Sequence, residues 1–73
     1  MGSAYKWDSM EVRSRLENFL GEHAFKALEY HLKKVVDGDP YRDPETLRRG
    51  LKLVLGRGGE LFFERVFSDW GFL

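Results

Sequence analysis

Leu20-Gly21 and Leu55-Gly56 stand 35 positions apart, and this repeated pair constrains the fold more than any other feature of the chain. Displacing the sequence by 35 positions also lays Leu16 on Leu51, Ala24 on Gly59, Leu28 on Phe63, Glu29 on Glu64 and Leu32 on Phe67. Each half therefore carries one plan: a helix, a Leu-Gly corner, a small residue three positions after the glycine, and a second helix with a large apolar side chain four residues further on. Glycine takes the backbone conformation that ends many helices, and a small residue nearby lets two helix backbones approach closely. The pattern predicts an all-α fold, a compact bundle of four short helices built as two related αα-hairpins, with Gly21, Gly56 and Gly59 as structural hinges.

Apolar spacing and local stop signals set the expected helix bounds. Asp8 and Glu11 form a capping-box-like start, and Val12, Leu16, Phe19 and Leu20 follow with helical spacing, which predicts helix one over about residues 9 to 20. Helix two, about 22 to 36, carries Ala24, Ala27, Leu28, His31, Leu32 and Val35 as its stripe. The run Asp37-Gly38-Asp39-Pro40-Tyr41-Arg42-Asp43-Pro44 is dense in turn formers and reads as a loop. Asp43 and Pro44 then cap and open helix three, about 44 to 55, with Leu47, Leu51, Val54 and Leu55 along one side. With Gly56-Arg57-Gly58-Gly59 taken as a loop, helix four runs from Glu60 to Trp70 and places Phe62 and Val66 on one line, Phe63, Phe67 and Trp70 on the next. Residues 1 to 8 form an N-terminal segment, whose Met1-Gly2-Ser3 has the composition of a tag remnant, and 9 to 73 form a single domain. No stretch alternates long enough to predict a strand.

A chain of 73 residues makes one domain and hides only roughly 60% of its unfolded surface on folding. It has no cysteine, so neither a disulfide nor a thiolate-bound zinc supports the fold, and packing must do so. Absence of cysteine fits a reducing interior, no apolar run approaches the ~20 residues that cross a bilayer, and the N-terminal stretch lacks the apolar core of a signal peptide. The expectation is a soluble cytoplasmic chain without membrane contact. Twelve basic and twelve acidic residues cancel to a formal net charge of zero, which leaves no long-range attraction for nucleic acid or anionic lipid.

The glycines of residues 56 to 59 have a competing reading as a phosphate nest, since glycine amides at a helix N-terminus bind anions and Arg57 would add charge. Neither dinucleotide nor P-loop spacing is present, no strand precedes the segment, and the first-half corner has Glu22-His23 where the second has Arg57-Gly58. A structural corner is the stronger reading; Gly58 has no place in it. His23 and His31 lie eight positions apart, too far for one helical metal pair, and no cysteine completes a site. His31 reads as a residue at the edge of the core and not as a base, because no nucleophile is paired with it. Asp37, Asp39 and Asp43 do not meet the calcium-loop order, with Gly38 between the first two acids, and take turn and cap roles instead. Glu60 and Glu64, with Arg57 and Arg65 near them, make a solvated face. No catalytic residues, cofactor or metal are expected.

Eleven aromatic residues in so short a chain have two readings. Tyr5, Trp7, Tyr41, Trp70 and Phe72 lie at ends or in loops, and either fold back over the open ends of the bundle or are covered by another molecule. The wide apolar face of helix four makes Phe63, Phe67 and Trp70 the expected partner-binding anchors, with Trp7 as an addition, in a protein-interaction module that self-associates or binds another protein. The alternative is a small DNA-binding regulator that contacts phosphates through Arg48, Arg49 and Lys52 of helix three, although three charges on a neutral domain make a poor footprint.

Leu20-Gly21 with Ala24, Leu28, His31 and Leu32, then Pro44, Leu47, Leu51, Leu55-Gly56-Arg57-Gly58-Gly59 and Phe63, resembles the small archaeal output domains of the Nitrosopumilus type. The resemblance covers about residues 10 to 68 and implies a non-enzymatic output module of an archaeal regulatory or signalling system. It supplies no catalytic residue. Gly59 stands where that family often has alanine, and the aromatic C-terminus implies a partner surface different from that of relatives.

Overall fold

A computed structural model describes residues 7–68, which form four helices and no strand. Helix α1, Ser9–Leu20, opens on Asp8, whose extended backbone frees its carboxylate to accept the Met10 amide at 3.0 Å. Helix α3, Pro44–Leu55, opens in the same way: Asp43 accepts the Thr46 amide at 2.7 Å, and Pro44 occupies a position whose amide would have no partner in the helix. The two helices begin and end 35 residues apart, as do their caps, so the sequence repeat is also a repeat of element bounds. Helix α2 is Glu22–Val35 and helix α4 is Arg57–Phe67.

Each hairpin turns on a single glycine. Gly21 has φ 89° and ψ 161°, and Gly56 has φ 67° and ψ −142°. A side chain in this region of backbone space costs on the order of 1–3 kcal/mol, so glycine is what allows a helix to stop and another to start one residue later. Helix α4 thus begins at Arg57, three residues before the position expected from the sequence, and Gly58 and Gly59 lie inside it. Gly59 is there because α4 crosses α3 at that point. A Cβ on Gly59 would collide with the Leu51 carbonyl and lie 2.8 Å from the Lys52 amide nitrogen.

Helix α1 packs on α2 and α4, and α3 packs on the same two, so the four helices close a cycle around one core. Val12 and Leu47, Leu16 and Leu51, Leu28 and Phe63, and Leu32 and Phe67 are repeat-related pairs, and all eight side chains are buried. Each such burial contributes about 1.5–3 kcal/mol relative to exposure. In α2 the buried line is Phe25, Leu28 and Leu32, whereas Ala24, Ala27, His31 and Val35, which share the expected stripe, face solvent. Phe25 is drawn inward by Tyr41, whose ring stacks on it with centroids 6.4 Å apart.

Of the two readings of the end and loop aromatics, Tyr41 takes the first and is covered by its own chain: it is buried, and its hydroxyl donates to Glu29 Oε2 at 3.1 Å. Arg13 donates to the same carboxylate oxygen from α1 at 3.0 Å while its guanidinium lies over the Phe25 ring. Burial raises the pKa of Glu29, but the hydrogen bonds from Arg13 and Tyr41 and the charges of Arg13 and Lys33 outweigh it, leaving the carboxyl below its ordinary value. Burial first, and then the Glu29 charge, push the Tyr41 hydroxyl well above its ordinary value. The loop acids have structural partners: Asp39 accepts the Tyr41 amide at 2.9 Å, and the Asp37 carbonyl accepts Arg42 Nη1 at 2.7 Å.

Candidate protein-interaction surface

The core claims two of the residues expected to face a partner. Phe63 and Phe67 are 1% and 0% exposed, with ring centroids 4.9 Å apart. Trp7 is half-buried and packs on both, 6.5 Å from Phe63 and 5.5 Å from Phe67, and its indole Nε1 donates to the Tyr41 carbonyl at 2.7 Å. The reason is the α4 crossing at Gly59, which rotates Phe63, Val66 and Phe67 into the interior. Side chains with so little surface cannot anchor another molecule. Trp70 lies outside the described residues.

The same rotation turns Leu61 and part of Phe62 outward. Between the two hairpin corners opens an apolar groove of about 380 Å³, lined by Leu20, Ala24, Ala27, Leu28, His31, Val54, Leu55 and Phe62. Leu20 and Leu55 are the residues immediately before the corner glycines, and Ala27 and Phe62 are also repeat-related, so both halves supply equivalent positions to the lining. Ala24 and Ala27 leave the space that larger side chains would fill. His31 is the single titratable residue among the lining.

A depression of mixed apolar and polar lining flanks the groove on each side. At the α2–α3 end, His31 and Val54 also line a second depression with Lys34, Val35 and Leu53. At the α1–α4 end, Phe62 meets Phe19 edge-on with centroids 5.6 Å apart, and Phe19 shares a third depression with Leu61, Glu64, Arg65 and Ser68. Leu53 in one of these depressions, and Leu61 and Phe19 in the other, are 60%, 65% and 54% exposed. Isolated exposed leucines are ordinary on a protein surface; several exposed large apolar side chains near one groove are less so. The sequence signal for them was the width of the stripes: each helix has apolar positions beyond those one core line uses.

Arg48, Arg49 and Lys52 are all exposed on α3, and each has a partner within the chain. Arg49 pairs with Glu45 at 3.7 Å, Lys52 pairs with Glu60 of α4 at 3.6 Å, and the Arg48 guanidinium lies 5.7 Å from the Phe63 ring centre. Two of the three charges are thus matched by carboxylates, which lowers the local potential a phosphate backbone would meet. His23 and His31 are exposed, and among the described residues no group of three or more His, Cys, Asp or Glu side chains is placed to hold a metal ion. No helix among the described residues is long and apolar enough to cross a membrane.

Comparison of the chain with protein-family models, with curated proteins and with solved structures returns no match.

Proposed function

We propose that the chain is a non-enzymatic protein-interaction module whose contact surface is the apolar strip centred on the groove between its two hairpin corners. The observation that carries this reading is the run of apolar side chains across the surface: Val54 lines both the groove and the depression that holds Leu53, Leu55 and Phe62 line the groove, and Phe62 meets Phe19, which lies beside Leu61. Covering such a strip removes apolar area from water without rearranging the fold, at about 25 cal/mol per Å². The polar groups at its ends, Lys34, Glu64 and Arg65, give it the rim of an interface. The resemblance of the corner motifs to archaeal output domains supports placing this contact in a regulatory or signalling assembly.

Site-specific photo-crosslinking tests the reading. A photoreactive phenylalanine analogue at Leu61 or Leu53, in an extract of the source cells, is expected to give a protein adduct, whereas the same analogue at the exposed Ser14 gives none. No adduct from either strip position overturns the proposal.

A further inference from the structure

We draw no further inference here: the strongest candidate, the apolar groove between the two hairpin corners with His31 as its single titratable lining residue, carries none because nothing in the structure shows what covers it.

Discussion

Tyr41 and Glu29 meet across the junction of the α2–α3 loop with α2, hydroxyl to carboxylate, at 3.1 Å. Because the carboxylate also takes Arg13 from α1, one partly buried acceptor ties together two helices and the loop that follows them. The pair makes folding stability depend on pH from both sides. Glu29 has its pKa lowered on folding from 4.5, so its contribution is complete above that value and is lost as pH falls through the folded-state pKa. Tyr41 has its pKa raised from 10.0, so its contribution is complete below that value and is lost as pH rises through the folded-state pKa. Urea denaturation at several pH values is expected to show Glu29→Gln flattening the acid limb and Tyr41→Phe flattening the alkaline one. The acid limb does not vanish, because the Thr46 amide bond also lowers the Asp43 pKa. At neutral pH, Tyr41→Phe costs about 1.5–3 kcal/mol, the range for a hydrogen bond to a charged group.

Gly58 and Gly59 are neighbours in the first turn of α4 with opposite expected responses to alanine. A Cβ on Gly58 meets nothing within 4 Å, and the residue has no positive φ, so Gly58→Ala is expected to stabilise by about 0.4–1 kcal/mol through helix propensity and a less free unfolded chain. Gly59→Ala drives a methyl into the α3 backbone at Leu51 and forces the two helices apart, an overpacking cost of about 1–3 kcal/mol or more. Thermal denaturation followed by circular dichroism separates the two. Equal melting temperatures for both variants would remove the account of Gly59 as the residue that lets α4 cross α3.

Trp7 shows how a residue outside the helices completes the bundle. Its ring covers Phe63 and Phe67, and its Nε1 bonds the Tyr41 carbonyl, so it joins the N-terminal segment to the loop 34 residues away. Trp7→Phe keeps part of the apolar cover and loses the hydrogen bond, at an expected cost of about 1 kcal/mol. Trp7→Ala loses both and is expected to cost about 3 kcal/mol, at the low end for a large aromatic because the indole is only half-buried. Urea midpoints read by circular dichroism check the order of wild type, phenylalanine and alanine.

Helix number and most helix bounds were legible in the sequence because their signals are local: Asp8, Gly21, Asp43 with Pro44, and Gly56 each act within about one helical turn of themselves. Burial was less legible, since it is decided between elements. In α2 the Ala24–Ala27 line and the Phe25 line both run alongside Leu28 and Leu32 at helical spacing, and the structure buries Phe25, with the Tyr41 ring from 16 residues later stacked on it. The start of α4 was hidden for a related reason, as a glycine pair reads locally as a breaker and only the α3 crossing turns Gly59 into a packing residue. Placing the anchors at Phe63 and Phe67 followed from the same blindness. Helical spacing shows that α4 has more apolar lines than one core needs, but not which of them the core takes.

His31 supplies the sharpest test of the groove as a contact surface. It is exposed, its ring sits edge-on to Tyr30 at 5.4 Å, and it is the single titratable residue in an otherwise apolar lining. Covering an imidazole without offering it a hydrogen bond opposes docking, whereas a leucine there adds apolar area to the interface. His31→Leu is therefore expected to tighten docking of a protein on this groove by about tenfold, equivalent to about 1.4 kcal/mol, while leaving folding stability within about 0.5 kcal/mol because the site is on the surface. His23→Leu, exposed near the α2 start and absent from the groove lining, is the control and should change neither. The extract dilution at which the photo-crosslink from Leu61 is half-maximal gives the first quantity and urea denaturation the second. A His31→Leu chain that crosslinks at no greater dilution than the His23→Leu control places the contact away from this groove.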